Sequence, residues 1–262
     1  MKKFIQVSLI ILGLFTSSLA AEKIDEKSFD KLMTLSGINK QIQEYPDVIK
    51  ASFNQDENID EKELQERNFI IDKSFEAKKI LKTIGDDVKK KITNKDIENL
   101  LVWYESDLGK KITKAEEESS TPEAYQDMIQ NTSTIMQDKK KVFFAKRVDK
   151  LLDVTNMVSE LQKNTATAIF SANNHPTKAE MAIFRSQLSL ESARIKENVE
   201  KMVILSFAYS YRNIDEKELK SYMSFLKQED TQKFNKAVMS GIVKALNNSV
   251  ADMSSLFSQM SK

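Results

Sequence analysis

The chain has 262 residues, of which 30% are charged and 40% hydrophobic, with five glycines, three prolines and no cysteine. This composition is typical of long helices with solvated outer faces. The formal net charge is +1, so the chain lacks the excess of basic residues that is typical of nucleic-acid-binding proteins. Because it has no cysteine, disulfides and zinc-thiolate sites are excluded.

Residues 1–20 are typical of an export signal. Lys2 and Lys3 form a basic start, an apolar run extends from Phe4 to Phe15, and small residues ending at Ala20 form a cleavage site. We therefore expect cleavage after Ala20 and a periplasmic protein, with secretion as the alternative. The apolar run is too short to span a bilayer as a helix, and no later segment is long and apolar enough, so we expect no transmembrane segment in the mature chain.

Helix signals follow in order along the chain. Gly37 ends a first helix, and Pro46 interrupts or kinks a second one over residues 38–54. Apolar residues at helical spacing over residues 64–92 indicate one long helix or two, and turn residues predict a loop at 173–176. No stretch alternates apolar and polar residues, so we expect no significant sheet. Helix starts are marked by Asp60/Glu63, Thr93/Asp96, Thr121/Pro122, Thr177/Glu180 and Asp215/Glu218.

An internal repeat organises the chain. The segment Ile92–Ala115 (ITNKDIENLLVWYESDLGKKITKA) returns in diverged form as Ile214–Ala237 (IDEKELKSYMSFLKQEDTQKFNKA). Between them the apolar phase slips at the run QDKKK, where we place the boundary. The sequence thus predicts an all-α protein of two homologous helical repeats packed as a helical bundle. The first repeat covers residues 21–138, and residues 139–262 hold the second, diverged repeat with the C-terminal helix.

The same alignment predicts matching helix ends. The segment DKLMTLSGINKQIQ, from Asp30, matches DKLLDVTNMVSELQ, from Asp149, without a gap, and this aligns Gly37 with Asn156. Glycine and asparagine most readily take the left-handed conformation that ends a helix. We therefore predict a break between two helices at both positions.

One motif in the first repeat carries a resemblance. An aromatic-Tyr-x-Ser-x-x-Gly-Lys run follows a Leu-x-Gly-Ile element at Leu35–Ile38, and together with the export signal it resembles the bacterial family called domain of unknown function 2059. The resemblance is best over residues 30–114, with a weaker second copy to about residue 236. It implies a small all-helical exported protein and no known activity. The residues of the run are Trp103, Tyr104, Ser106, Gly109 and Lys110.

The second repeat departs from this motif, because Thr231 stands where the first has Gly109. Any role that needs close backbone approach at Gly109 belongs to the first repeat only. On the helical stripe, we interpret Tyr104 as a core residue and Trp103 as its flank. Ser106 has no histidine in its own repeat to activate it, and we interpret it as the cap of a short following helix.

The strongest candidate site comes from comparing the repeats. The helix of the first repeat has polar residues on its outer faces over residues 82–89, whereas the aligned helix of the second repeat, residues 204–211, is apolar on nearly all sides. Such a helix must be covered on all sides or present a patch. It is therefore either the central helix of the bundle or the wall of an apolar groove for a lipid, a peptide or a second subunit. The residues concerned are Ile204, Leu205, Phe207, Tyr209 and Tyr211.

The remaining polar clusters offer little chemistry. His175 is the single histidine and precedes a proline in the predicted loop, so it lacks the further nitrogen ligands of most metal sites. Glu116-Glu117-Glu118 and Asp56-Glu57 lack the spacing of a calcium loop, and we interpret both as solvated helix ends. We predict no catalytic residue, no metal site and no cofactor.

These patterns favour an exported, non-catalytic binding or interaction module that uses the apolar face around Ile204–Tyr211 for a protein or an apolar ligand, a second copy of the chain included. The alternative is a chaperone-like or envelope-structural protein whose charged helices clamp unfolded clients. An enzyme is the third interpretation, because folding could bring carboxylates together that are distant in sequence.

Overall fold

Helices follow one another along the whole described chain. The structure, a computed structural model, describes residues 23–53, 60–174 and 176–260. In these ranges it contains fourteen α-helices and no strand, which confirms the all-α prediction. The export signal with its cleavage site at Ala20, the acidic pair Asp56-Glu57 and His175 lie outside the described residues.

The apolar run over residues 64–92 forms two helices, and Pro46 lies inside a continuous one. The loop predicted at 173–176 is wrong at its start, because helix continues through Asn174. None of the described helices is long and apolar enough to cross a membrane. Their bounds are α1 (Glu26–Leu35), α2 (Ile38–Phe53), α3 (Glu61–Ser74), α4 (Ala77–Lys89), α5 (Asn94–Tyr104), α6 (Asp107–Glu118), α7 (Pro122–Gln130), α8 (Thr132–Gln137), α9 (Lys139–Leu152), α10 (Val154–Asn174), α11 (Lys178–Leu190), α12 (Ser192–Ser210), α13 (Glu216–Leu226) and α14 (Glu229–Met260).

Side-chain caps set many of the helix starts. Thr93, Thr177 and Asp215 each accept a hydrogen bond from a backbone N–H of the first turn, and the acid three residues on bonds back to the N–H of the cap. Asp60 and Thr121 accept the same kind of bond at the starts of α3 and α7. Each cap satisfies backbone donors that the helix itself leaves unpaired, which confirms all five predicted starts.

The two predicted helix breaks differ in outcome. Gly37 has a φ of +76° and separates α1 from α2, as predicted. The break predicted at Asn156 is wrong, since the left-handed residue is Asp153, with a φ of 57°. The cause is Asp149, whose carboxylate accepts hydrogen bonds from the backbone N–H and the hydroxyl of Thr155, both at 2.8 Å. These bonds start α10 one turn earlier.

One hydrophobic core joins the two predicted repeats. It takes buried side chains from α1–α6 and from α9, α13 and α14, together with the connection between α12 and α13. Helix α14 packs against α3, α4 and α10, while α12 packs against α9 and α10. A break at Asp138, between α8 and α9, lies within the predicted boundary run. The two halves share this core, and their homology stays a prediction.

Helices α14 and α4 approach closely at Gly241. A Cβ atom added there would lie 2.8 Å from the Cα atom and 3.3 Å from the carbonyl oxygen of Ile84. Those atoms belong to the backbone of α4, so a side chain would have to push the helices apart. Gly85 is different, because a Cβ atom there would lie 3.7 Å from the Phe29 ring, an ordinary contact.

We expect alanine at these two glycines to change stability in opposite directions. Gly241→Ala should lower the free energy of unfolding by about 1–3 kcal/mol, as overpacking does in other cores. Gly85→Ala fits the available space and removes a glycine from a helix interior, so it should raise that free energy by about 0.5–1 kcal/mol. Urea unfolding followed by circular dichroism measures both values. Equal effects of the two substitutions would contradict the close approach.

Candidate functional site

The apolar face predicted on the second repeat lies on α12, and its first part is covered. Ile204 packs in a cluster with Ala145 of α9, and Leu205 packs with Ala124 and Met128 of α7. Both side chains are buried, so neither contributes to an exposed patch. This part of the face belongs to the protein interior.

The aromatic part of the face has a different environment. Tyr209 is buried, its hydroxyl donates to Asp127 Oδ2 at 2.7 Å, and the Arg212 guanidinium lies 3.7 Å from its ring centroid. Phe207 is half-buried, with its ring centroid 6.1 Å from that of Tyr211. All three aromatic side chains line one cavity. Both interpretations of this face therefore apply to part of it. Ile204 and Leu205 belong to the core, and the aromatic residues that follow them line a cavity.

This cavity has a volume of about 460 Å³ and is partly open to solvent. It lies where the two halves of the chain meet, because α2, α6, α7, α12, α13 and α14 all contribute to its wall. Glu116 is the single charged side chain among the described residues that line it. Seven lining residues are aromatic: Tyr104, Tyr125, Phe207, Tyr209, Tyr211, Tyr222 and Phe234.

Glu116 of α6 is held by two phenols. The hydroxyl groups of Tyr211 and Tyr222 donate to its Oε1 atom at 2.5 and 2.8 Å. Its Oε2 atom accepts no hydrogen bond from the residues that the structure describes. The lysines beside this end of α6 pair with the next two acids, Lys40 with Glu117 and Lys114 with Glu118. Glu116 is thus a carboxyl group with one unused oxygen and no cationic partner in the described chain.

The surroundings change the acidity of the whole cluster. Burial raises the pKa of the Glu116 carboxyl above its ordinary value, the hydrogen bonds from Tyr211 and Tyr222 partly oppose this rise, and the charge of Glu117 adds to it. Burial, and then the charge of Glu116, raises the pKa values of Tyr104, Tyr211 and Tyr222. The phenols therefore remain protonated and keep donating at neutral pH.

The sequence interpretation of Glu116 as part of a solvated helix end is wrong. Glu118 is exposed, but Glu116 follows the buried Ile112 by four residues and lies on the same inward face of α6. That spacing is the one signal in the sequence that could have found it. Its two phenol partners are 95 and 106 residues away along the chain, so local sequence carries no sign of them.

Asn235 of α14 supplies a second unsatisfied group. Its side chain lines the cavity, and its Nδ2 atom is buried without a hydrogen-bond partner in the described ranges. The cavity therefore offers a free acceptor, Glu116 Oε2, and a free donor, Asn235 Nδ2. Buried polar groups are nearly always hydrogen-bonded, so the unpartnered Asn235 Nδ2 atom in the same cavity as the Glu116 carboxyl indicates a place for a ligand or for ordered water.

The family-motif residues build the corner between α5 and α6, and one of them reaches the cavity. Trp103 is half-buried and stacks on Phe225, with ring centroids 4.4 Å apart. Tyr104 lines the cavity, and Lys110 is exposed. Tyr104 is therefore the member of this motif that contributes to the candidate site.

Ser106 and Gly109 explain the sharpness of the corner. The Ser106 hydroxyl accepts from the Gly109 N–H at 3.0 Å and donates to the carbonyl oxygen of Trp103 at 2.6 Å. The predicted capping role of Ser106 is confirmed. A Cβ atom at Gly109 would lie 2.1 Å from the Trp103 carbonyl oxygen, so the turn requires a residue without a side chain.

Two features of the described residues bear on the metal-site and enzyme interpretations. In the described parts of the chain, no group of three or more His, Asp or Glu residues is placed to hold a metal ion. The cavity is lined by one carboxylate, so the pair that the enzyme interpretation requires is not formed there. The arrangement can bind and orient a small molecule through one acid, one amide and several aromatic rings.

A second cavity, of about 610 Å³, lies between α9 and α13 beside the exposed Phe143. At its rim Lys140 and Lys220 both pair with Glu216. None of its described lining residues has a buried polar atom without a partner. The cavity at Glu116 is therefore the stronger candidate for a specific ligand.

No protein-family model, no curated protein and no solved structure matches this chain. The resemblance carried by residues 103–110 stays a prediction. Evidence on function therefore comes from the cavity itself.

The half-buried Glu116 should make the free energy of unfolding depend on pH with a defined sign. Its pKa is higher in the folded than in the unfolded state, so its contribution to stability falls as pH rises from the ordinary carboxyl range through the raised pKa. Glu116→Gln keeps the size of the side chain and removes this titration. The free energy of unfolding of the wild type minus that of the variant should therefore decrease as the pH rises from the ordinary carboxyl range through the raised pKa of Glu116.

Urea unfolding at a series of pH values measures that difference. Glu118→Gln is the matched control, because it removes the same charge from an exposed position of the same helix. Comparison with this control separates the loss of the half-buried carboxyl from the simple loss of one negative charge. A constant difference between wild type and Glu116→Gln would show that Glu116 is not titrating from a buried state.

Proposed function

We propose that this protein is an exported, non-catalytic binding protein that holds a small ligand in the cavity beside α12. One observation carries the proposal: the buried Asn235 Nδ2 atom has no hydrogen-bond partner among the described residues, and it belongs to the same aromatic cavity as Glu116, whose Oε2 atom accepts no hydrogen bond from them.

The size and lining of the cavity support a small molecule as the ligand. Its volume of about 460 Å³ lies within the roughly 300–1,000 Å³ of typical ligand sites. Such sites combine mostly apolar walls with a few polar groups that fix the orientation of the ligand. Here the aromatic rings supply the walls, while Glu116 and Asn235 supply the polar groups.

The energetic cost of the two groups also supports a ligand. A buried polar atom without a partner costs roughly 1–3 kcal/mol, and a buried carboxylate costs more. An apolar residue at either position would remove this cost from the ligand-free protein. Residues that lower stability in this way occur most often at functional sites, where a ligand provides the missing interactions.

The groups around Glu116 are held in place before any ligand binds. Tyr211 and Tyr222 fix its carboxyl group, and the Lys141 ammonium donates to the carbonyl oxygen of Tyr211 at 2.8 Å. The Ser119 and Ser210 hydroxyls lie 2.7 Å apart and link α6 to α12 beside the cavity. A site fixed in this way loses little freedom when a ligand binds.

The export part of the proposal rests on the sequence. Residues 1–20 have the basic start, apolar run and small-residue cleavage site of an export signal. The motif at residues 103–110 resembles that of a family of exported helical proteins. Both features favour a binding protein that meets its ligand in the periplasm.

Phe207→Ala should remove ligand binding while the fold remains. Phe207 is half-buried on the cavity wall, so its loss widens the site at a smaller cost in stability than the loss of a fully buried ring. Native mass spectrometry of the wild type, purified from the periplasm of its host, should show a mass above that of the bare chain, and the variant should show less of it. Tyr209→Ala, at a buried position, should instead lower the free energy of unfolding by about 3–5 kcal/mol.

Phe69→Ala is the matched control, because Phe69 is 53% exposed and lies outside the cavity lining. It should leave the added mass unchanged. A bare monomer in every preparation would contradict the proposed function. If such a monomer also suppressed aggregation of an unrelated protein without fixed stoichiometry, the chaperone-like alternative would be favoured instead.

A further inference from the structure

The charge of the cavity limits the kind of ligand that it can hold. Its described lining has one acid, Glu116, and no lysine, arginine or histidine. Lys40 and Lys114 already pair with other acids of α6. A buried carboxylate requires a nearby positive charge, or else it takes up a proton. A cationic ligand would supply that charge, whereas an anionic ligand would be repelled.

The aromatic walls also favour a cationic ligand. The faces of aromatic rings carry negative electrostatic potential and attract a cation within about 6 Å of the ring centroid. The Tyr211 and Tyr222 rings, whose hydroxyl groups bind Glu116, have centroids 5.7 Å apart and planes at 59° to each other. The two rings pack against each other next to the carboxylate, so a cation bound at Glu116 would lie beside aromatic rings.

The protein itself already places a cation on an aromatic wall. The Arg212 guanidinium lies 3.7 Å from the ring centroid of Tyr209, a cavity-lining residue. Its NH1 atom also donates to the Tyr209 carbonyl oxygen at 2.8 Å, so Arg212 is held at that ring. Arg212 is not among the residues that line the cavity and does not pair with Glu116. Among the described residues, no lysine or arginine side chain lies over the Tyr211 or Tyr222 ring.

Asn235 indicates what the rest of the ligand offers. Its buried Nδ2 atom is a donor, so it calls for a hydrogen-bond acceptor on the ligand. The volume of about 460 Å³ exceeds that of a lone ammonium group, which leaves room for a tail that carries the acceptor.

We propose that the cavity binds a small organic cation, an ammonium group joined to a hydrogen-bond acceptor. The ammonium group pairs with Glu116 Oε2 beside the Tyr211 and Tyr222 rings, and Asn235 binds the acceptor. This inference rests on the proposed function and adds the chemical class of the ligand.

Calorimetric titration of the whole purified chain tests the proposal with three probes. Choline and ethanolamine carry a quaternary and a primary ammonium group on the same short hydroxyl tail. The third probe is the neutral isostere of choline, in which carbon replaces nitrogen. At least one cation should bind about tenfold or more tightly than the neutral alcohol, because the alcohol has the shape but not the charge.

Two variants test whether the Glu116 carboxyl causes the preference for a cation. Glu116→Gln should weaken binding of the preferred cation about tenfold while leaving the neutral isostere unchanged. Glu118→Gln, which removes the same charge from an exposed position of α6, should change neither affinity. Circular dichroism spectra of both variants establish that the fold is intact. If Glu116→Gln does not fold, the comparison of charged and neutral probes on the wild type still decides the question.

The inference is overturned if neither cation binds more tightly than the neutral alcohol. It is also overturned if Glu118→Gln weakens cation binding as much as Glu116→Gln does. Its failure can be separated from failure of the proposed function, because a neutral or anionic ligand found by native mass spectrometry would reject the ligand class and keep the binding role. A bare chain that binds none of the probes would reject both.

Discussion

The close approach of α14 to α4 is the constraint on which the rest of the structure depends. Because Gly241 has no side chain, the backbone of α14 lies against Ile84 of α4, and the two halves of the chain share one core. From that contact α14 continues to the cavity, whose wall includes Phe234 and Asn235. Protein interiors are close-packed. A wider separation of α4 and α14 would therefore both loosen the core and displace the cavity wall.

A second constraint is polar and acts at the cavity. The Glu116 carboxyl joins α6 to Tyr211, at the end of α12, and to Tyr222 of α13. Two hydrogen bonds to a single oxygen offset part of the cost of desolvating the group, and the other oxygen accepts no hydrogen bond from the described residues. An apolar side chain would stabilise the interior more, since buried charged groups seldom repay their desolvation. The position therefore favours a function in binding.

Helix starts and helix ends show how far sequence reasoning extends. The capping boxes at Thr93, Thr177 and Asp215 were predictable because every atom of the motif lies within four residues. Alignment of the repeats predicted a break at Asn156, yet the bond between Asp149 and Thr155 moved it by one turn. The alignment could not show this bond, because the aligned residues of the first half, Asp30 and Ser36, do not form it: the Ser36 hydroxyl donates to the Met33 carbonyl oxygen instead.

By itself the sequence determined the all-α class, the main helix starts and the aromatic enrichment of α12, since these follow from local hydrogen bonding and from the period of the apolar residues. Tertiary structure alone decided that Ile204 and Leu205 are core while Phe207 lines a cavity. It also placed Glu116, which the sequence indicated as a surface acid, in the lining of that cavity. The physical reason is that burial and hydrogen-bond partners depend on helices far apart in sequence, and local patterns record only which side of a helix faces inward.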